Sequence, residues 1–387
     1  MTARLAHRTG TFGGMTQRQA LGQRLSTLEV HLQAEAPDLL PVLGTYRDFD
    51  RLLHRLGLLG RDDSLATRIP WWPVIAVLGS TSPDKTAFLD GYRDAAARTA
   101  AGAVTVLCYG SEASDGDPRI PFDLGEACRV EASGSERLRG RILVDVAEEA
   151  PQAAEHVAER SDVVLAFPGV EPPVSDARKV LTVRSDADVA GIDARMAALG
   201  VEHGGRVVAL LDTLAEELES ELIPYLEAAL ARWRRSVRSG GAVWLALLGL
   251  VLGGAVFLGG VENLPAFAGW LLEWRPARLG GLPLRLLALL AGVGGLWLAG
   301  HLWVRRWAAN RLASGLPERM GEADLDLRRA FLKSTRLPRS AFGSGVAGWG
   351  RGAKRRLAAI RTAMGEHRRS LGSRNTQPQP AAAEAGD

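Results

Sequence analysis

Cysteine and lysine are both scarce in this chain of 387 residues. The two cysteines, Cys108 and Cys128, are too few for a disulfide framework, which fits a reducing compartment. The seven histidines are scattered without the spacing of metal ligands, so no zinc site is predicted. Only four lysines occur, so a lysine that falls within a recognisable motif is informative.

Positive charge is concentrated near the end of the sequence. The formal net charge is +3, yet residues 351–374 carry eight Lys or Arg and one acidic residue. Such a segment is either a solvated helix face or a surface for an anionic partner. No nucleic-acid recognition fold is visible, so we predict anionic lipid as the partner, not nucleic acid. The predicted lipid contacts are Arg351, Lys354, Arg355, Arg356 and Arg361.

Two long runs lack charged residues. The first covers 23 residues, Ser239–Val261, and the second covers 19, Leu286–Val304. At about 1.5 Å per residue, each run matches the roughly 30 Å hydrocarbon core of a bilayer. We therefore predict a transmembrane hairpin over residues 239–304, against the alternative of two buried helices in a soluble protein. Arginines on the outer flanks of both runs predict cytoplasmic N- and C-termini. These are Arg232, Arg234, Arg235, Arg238, Arg305, Arg306 and Arg311.

The first half of the chain changes from helical to strand-like periodicity. Residues 17–70 repeat apolar positions at helical spacing, with Pro37 and Pro41 between two predicted helices. Residues 71–185 contain short apolar runs typical of buried strands, and a predicted helix over Asp84–Thr99. Strands mixed with helices predict an α/β domain. The predicted strands are Val74–Leu78, Ala103–Tyr109, Ile142–Val146 and Val163–Phe167.

The pattern from residue 186 onward is helical. One helix is predicted around Val189–Leu199, and a long amphipathic helix over Val207–Val237 with a kink at Pro224. Residues 186–238 are interpreted as a stalk that leads into the first span. Residues 305–374 are predicted to form a basic, cytoplasmic helical segment. Residues 1–16 and 375–387 are predicted to be disordered, without a signal peptide at the start.

One strand–loop–helix segment carries the clearest chemical signal. The apolar run that ends at Leu78 is followed by the sequence GSTSPDKT, which matches G-x-x-x-x-G-K-[ST] except at the second glycine. In that motif backbone N–H groups cradle phosphates, the lysine reaches the β- and γ-phosphates, and the hydroxyl holds Mg²⁺. An accidental strand–turn–helix is the alternative. The predicted nucleotide-binding residues are Gly79, Ser80, Thr81, Lys85 and Thr86.

The same loop contains two residues that oppose phosphate binding. Asp84 replaces the second glycine, so it brings a Cβ atom and a negative charge to the place where the backbone meets a polyanion. Pro83 has no N–H to donate. The sequence therefore predicts a disrupted phosphate loop.

Several segments resemble bacterial dynamin-like membrane GTPases. They are Ile69–Gly79 with the following Lys85–Leu89, Thr105–Gly110, Asp117–Phe122 and Leu138–Asp145. The resemblance covers about residues 20–370 and includes the paired membrane spans. It implies a GTPase-domain fold flanked by helical-bundle segments, GTP and Mg²⁺ as possible ligands, and action at a membrane.

Departures from the family pattern predict a degenerate member. The resemblance implies Asp145 and Thr86 as Mg²⁺ ligands, but Glu148 stands where the family's Asp-x-x-Gly has its glycine. No switch threonine can be aligned within residues 99–102. The nearest candidate for the base-reading motif ends at Asp186, and we interpret it as a helix N-cap. Since Asp145 and Asp186 are 41 positions apart, at least one helix of the intact domain is expected to be missing.

Three functions remain open from the sequence. The first is a membrane-anchored pseudo-GTPase of a bacterial inner membrane, which acts by assembly with itself or with an intact GTPase partner. Its fold would be a truncated P-loop GTPase-like α/β domain combined with helical-bundle segments and a two-helix transmembrane hairpin. The second is a working GTPase with atypical motifs. The third is a membrane scaffold that binds no nucleotide.

Overall fold

The computed structural model describes residues 17–93, 104–110, 128–168, 180–183, 186–258, 265–266, 268–269, 278–279, 282–336 and 345–374. They divide into two compact units. The first unit takes its residues from Met1–His54, Leu59–Ala215 and Gly352–Asp387, and the second from Arg55–Leu58 and Glu216–Arg351. The predicted disordered ends, residues 99–102 and the segment Asp117–Phe122 lie outside the described residues.

Two helices precede the α/β domain. Helix α1 (Gln17–Glu35) and helix α2 (Leu40–Leu56) are joined by a 3-10 turn at Pro37–Leu39. Pro37 begins this turn, as the sequence predicts. Pro41 instead lies in the first turn of α2, where a missing N–H costs no helical hydrogen bond.

A six-stranded mixed sheet forms the centre of the α/β domain. Its strand order is β3-β2-β4-β1-β5-β6, with β2 antiparallel to β4 and all other neighbours parallel. Strands β1 and β5 are buried along their whole length, as their apolar runs predict. The strands are β1 (Val74–Leu78), β2 (Val104–Tyr109), β3 (Cys128–Ser133), β4 (Ile142–Val146), β5 (Val163–Ala166) and β6 (Val180–Thr182), with α3 (Pro83–Asp90) after β1 and α4 (Pro151–Arg160) after β4.

A long helical path follows the sheet. Helix α5 (Asp186–Glu217) passes through one π turn (Leu218–Leu222) into helix α6 (Ile223–Leu258). The π turn lies just before Pro224, which has no N–H and crowds the carbonyl one turn earlier. The wider turn accommodates the proline without ending the helical path.

The remaining elements are helical apart from one short hairpin. Strands β7 (Arg278–Leu279) and β8 (Leu282–Pro283) pair antiparallel. They are followed by α7 (Leu284–Ser314), α8 (Leu327–Thr335) and α9 (Arg351–Arg374). Asp326 caps α8, because its carboxylate accepts a hydrogen bond from Arg329 N at 2.7 Å.

Helices from distant parts of the sequence meet in the first unit. Helix α9 lies beside α2 and α5, and its buried face consists of Ala353, Leu357, Ile360 and Met364. A set of polar contacts accompanies this packing. The Tyr46 hydroxyl donates to Val207 O at 2.8 Å, Thr45 Oγ1 lies 3.1 Å from His367 Nε2, Arg361 donates to Ala215 O at 3.3 Å, and Arg368 pairs with Asp212 at 3.1 Å.

A buried ionic cluster joins α5 to the sheet. His203 Nε2 lies 2.7 Å from Pro70 O, and its Nδ1 lies 3.3 Å from Asp162 Oδ2. The same carboxylate accepts a hydrogen bond from Val74 N at 2.8 Å and pairs with Arg206. Burial alone would raise the pKa of Asp162, but the interactions with His203, Val74 N and Arg206 together outweigh burial and lower that pKa.

Three predictions about elements are corrected. The helices predicted around 189–199 and 207–237 are parts of one path, since Gly200, Gly204 and Gly205 all lie within α5. Strands β3 and β6 were not predicted. The segment 318–326 is not helical, because it contains a turn closed by a bridge between Met320 and Leu325.

Candidate functional site

Helix α3 is capped by the phosphate-loop segment itself. Ser82 is the N-cap residue, and its hydroxyl accepts a hydrogen bond from Lys85 N at 3.2 Å. Thr86 N donates to Ser82 O at 3.0 Å, and Pro83 has no N–H. In a phosphate loop, backbone N–H groups at this helix start bind the phosphates. Here three of the first four helical positions offer no donor for an anion.

The ammonium group of Lys85 is buried and surrounded by oxygen atoms. The side chain is about 5% exposed, and Nζ lies 2.8 Å from Asp145 Oδ1. It also donates to Gly79 O at 2.9 Å and to Val146 O at 3.1 Å. Two of the three ammonium protons are therefore donated to backbone carbonyls, and the adjacent carboxylate of Asp145 balances the charge. A phosphate could engage Lys85 only by breaking this arrangement.

The sheet register brings Lys85 and Asp145 together. Val77 of β1 lies opposite Asp145 of β4, so the segments that follow both strands leave the sheet at the same edge. The structure thus brings these two predicted site residues together, and their roles in binding stay a prediction. The contact between them is a direct ion pair, whereas a magnesium site would place the metal next to the carboxylate.

Gly79 is required by packing. Its φ is +134°, a conformation that favours glycine, and a Cβ atom there would lie 2.7 Å from Phe167 Cβ. Phe167 directly follows β5 and is itself buried. The glycine therefore permits close approach between the ends of β1 and β5, independently of any phosphate.

The other predicted site residues lie around this pair. Ser80 donates to Pro168 O at 3.2 Å. The remaining ones are exposed in the loop, on α3 and in the turn between β4 and α4. These are Thr81, Pro83, Asp84, Thr86 and Glu148.

The residues present do not fit a bound Mg²⁺–GTP. Lys85 donates to two backbone carbonyls, Asp145 is paired with it, and the exposed carboxylate of Asp84 lies at the helix start. Among the described residues, no group of three His, Cys, Asp or Glu side chains is placed to hold a metal ion.

Sequence reasoning missed three features of this site. Ser82 was not identified as a helix cap, although a serine followed by proline is a common helix start. Val146 O was not identified as an acceptor for Lys85, because a backbone carbonyl carries no sequence signal. Phe167 likewise became relevant only through the strand register.

In the second unit, α6 and α7 pack as an antiparallel pair through glycines. A Cβ atom on Gly240 would lie 2.6 Å from Val304 Cγ1, and one on Gly241 would lie 3.7 Å from His301 Nδ1. The indole of Trp244 fills the space beside Gly300. These contacts set a register in which Arg238 of α6 is level, within about a residue, with Arg306 of α7.

Beyond the level of Arg238 and Arg306, both helices carry exposed apolar side chains on their outer faces. Leu250 and Phe257 of α6 are each 74% exposed, and Trp303 of α7 is 65% exposed. Among the described residues, one helix, bounded as Ala198–Gly254, is long and apolar enough to cross a membrane. The other exposed members of this apolar band are Val243, Leu245, Leu247, Val251, Leu252, Leu290, Leu296, Trp297, Leu298 and Leu302.

The predicted lipid contacts on α9 differ in exposure. Arg351, Lys354, Arg355 and Arg356 are exposed. Arg361 is half-buried and donates to Ala215 O, so it helps to hold α9 on α5. The sequence could not separate it from the others, because its neighbours are equally basic.

Comparison of the chain with known protein families and with curated proteins found no match. The fold and the candidate site are therefore interpreted from their own geometry.

Proposed function

We propose that this chain is a membrane-anchored, dynamin-like pseudo-GTPase. The lysine that would bind the nucleotide is instead held in a buried ion pair. The observation that carries the proposal is the burial of Lys85 Nζ in an ion pair with Asp145 and in hydrogen bonds to Gly79 O and Val146 O. A buried pair of this kind is costly to break, because an uncompensated charge then remains in the interior. The loop thus serves the stability of the domain, and the protein acts by assembly at the membrane.

The membrane anchor is proposed to be the α6–α7 hairpin. A band of exposed leucine, valine and tryptophan side chains this long is unfavourable in water and suits a bilayer core. Trp303 and Trp307 lie near the level where charges begin, as interfacial tryptophans do.

The packing of α9 supports an even number of crossings. Helix α5 precedes the hairpin and helix α9 follows it, yet Arg361 and Arg368 of α9 contact Ala215 and Asp212 of α5. Both flanks of residues 216–351 must therefore lie on one side of the membrane. A single crossing by α6 would separate them, so α7 is proposed to return the chain. With arginine-rich flanks, that side is the cytoplasmic side of a bacterial inner membrane.

Turnover in the presence of membranes tests the enzymatic part of the proposal. Full-length protein in anionic vesicles is incubated with Mg²⁺ and GTP, and phosphate release is compared between the wild type and Lys85→Ala. We expect the wild type and Lys85→Ala to release phosphate equally, and no faster than vesicles without protein. Release that vesicles stimulate and that Lys85→Ala abolishes would contradict the proposal.

The second candidate is a working GTPase. It is favoured by the meeting of Lys85 and Asp145 at one edge of the sheet, where open α/β proteins bind ligands. In that case Lys85 would exchange Asp145 for a phosphate, Thr86 and Asp145 would hold Mg²⁺, and turnover would rise with liposomes. The same phosphate-release measurement separates the two candidates.

A further inference from the structure

The arginines at the base of the α6–α7 hairpin form a positively charged cluster next to the apolar band. Arg232, Arg235 and Arg238 repeat every three residues, so they follow one face of α6. Arg306 and Arg311 lie on α7, and all five side chains are exposed. We name this set of five residues the arginine collar.

The register of the two helices aligns the arginines of α6 with those of α7. The contacts of Gly240 with Val304 and of Gly300 with Trp244 place Arg238 level with Arg306. By the same register, Arg232 is level, within about a residue, with Arg311. The uncharged runs of α6 and α7 begin directly beyond Arg238 and Arg305. Arg238 and Arg306 therefore border the apolar band at the same level, and Arg232 and Arg311 lie together one to two turns further from it.

Tryptophan side chains accompany the collar on α7. Trp303, Trp307 and Arg311 are four residues apart and lie on one face. The Arg311 guanidinium is 5.2 Å from the centre of the Trp307 ring. An indole next to a cation at the end of an apolar band suits the headgroup region, where one side is apolar and the other is wet.

We propose that the arginine collar binds the phosphates of anionic phospholipids, and that it is the main lipid-selective site of the chain. This inference rests on the proposed membrane insertion of the hairpin. Headgroup phosphates lie at the depth where the acyl chains end, which matches the border between the apolar band and the collar. Guanidinium groups bind phosphate oxygens in pairs of hydrogen bonds. An acidic protein could match the charge but would leave the adjoining apolar band in water.

Quenching of tryptophan fluorescence by brominated lipids tests the inference. Full-length protein is reconstituted into mixed bilayers in which either phosphatidylglycerol or phosphatidylcholine carries bromine. The ratio of quenching reports which lipid occupies positions beside the hairpin tryptophans. One arginine near an anionic surface favours binding by about fivefold, so we expect a preference for phosphatidylglycerol of at least about fivefold.

Two variants with equal loss of charge locate the site. The collar variant combines Arg232→Gln, Arg235→Gln, Arg238→Gln, Arg306→Gln and Arg311→Gln. The matched control removes the same number of exposed cations from α9 through Arg351→Gln, Lys354→Gln, Arg355→Gln, Arg356→Gln and Arg369→Gln. We expect the collar variant to be quenched equally by both lipids, and the control to keep the preference of the wild type.

The outcomes separate this inference from the membrane anchor. Equal quenching by both lipids in the wild type, or a preference that survives in the collar variant, would overturn the collar and leave the anchor intact. Loss of the preference in the α9 variant alone would move the lipid site to α9 and overturn the inference. Absence of quenching by either lipid would overturn both the collar and the inserted hairpin.

Discussion

At the scale of single residues, the buried pair of Lys85 and Asp145 decides what the phosphate-loop segment does. A lysine at this sequence position is expected to point toward phosphates, and here its ammonium lies among oxygens at the ends of β1 and β4. At the start of α3, the N–H groups of Lys85 and Thr86 bond to Ser82, and Pro83 has no N–H.

Removing the lysine is predicted to destabilise the first unit. In Lys85→Met, Asp145 loses its partner and keeps its charge in a largely buried place, so the free energy of unfolding should fall by about 3 kcal/mol. Thermal unfolding of full-length protein in detergent measures the change. The double variant Lys85→Met/Asp145→Asn should be less destabilised than the lysine variant alone, and a larger loss in the double variant would contradict a charge pair.

Asp50 gives a pH-dependent prediction. Burial raises its pKa from 3.8 to about 6, although Ser64 and the backbone of Leu65 donate hydrogen bonds to it. The folded state therefore binds the proton more tightly than the unfolded state, and this group lowers stability as pH rises from about 4 to about 6. Over this pH range the free energy of unfolding should fall by about 3 kcal/mol through this group.

The variant Asp50→Asn isolates this contribution, because an amide can make the same contacts without titrating. The difference in unfolding midpoint between Asp50→Asn and the wild type should grow from pH 4 to pH 6 in favour of the variant, and then stay constant. A difference that does not change with pH would show that Asp50 does not titrate in this range.

At the scale of elements, the contact between α6 and α7 depends on glycine at particular positions. Gly300 lies against the Trp244 indole, so Gly300→Leu should separate the helices and lower the unfolding midpoint. Gly292 is on the same helix with open space around it, so Gly292→Leu is a matched control that should leave the midpoint unchanged. Equal effects of both substitutions would contradict the packing of the hairpin.

The sequence predicted elements where the pattern of apolar residues was sufficient. Strands β1 and β5 are continuous apolar runs, and β2 and β4 are apolar except at Thr105 and Asp145. Their mostly buried positions confirm the prediction of strands. Strand β3 was missed because Arg129 and Glu131 interrupt its apolar residues, and β6 is only three residues long. The π turn before Pro224 was not predicted, since a local change in hydrogen-bond spacing leaves no trace in periodicity.

The candidate site was predictable only in part. Lys85 and Asp145 could be found by motif, because residue type and spacing carry that signal. Their mutual contact could not be predicted, since it depends on the register between β1 and β4 and on the start of α3 at Pro83. The arginine collar could not be predicted either, because the alignment of Arg238 with Arg306 follows from glycine contacts between two helices.

At the scale of the whole molecule, the chain leaves and re-enters its first unit. Helices α2 and α5 come before the hairpin and α9 comes after it, and all three share one packed core. A membrane hairpin between them is compatible with this arrangement only if it crosses twice.

Cysteine labelling tests this topology. In a background without Cys108 and Cys128, single cysteines replace the exposed residues Ser26, Ser370 or Ala266. In right-side-out vesicles, an impermeant maleimide should label only the cysteine at position 266, and the other two should react after permeabilisation. Labelling at positions 26 and 370 from opposite sides would contradict a double crossing.

A titration of full-length protein with Mg²⁺–GTP tests the central claim most directly. If the three oxygens around Lys85 occupy the lysine permanently, no binding should be detected at micromolar or submillimolar nucleotide, and Lys85→Ala should behave as the wild type does. Micromolar binding to the wild type that disappears in Lys85→Ala would contradict the claim that the ion pair has replaced the nucleotide.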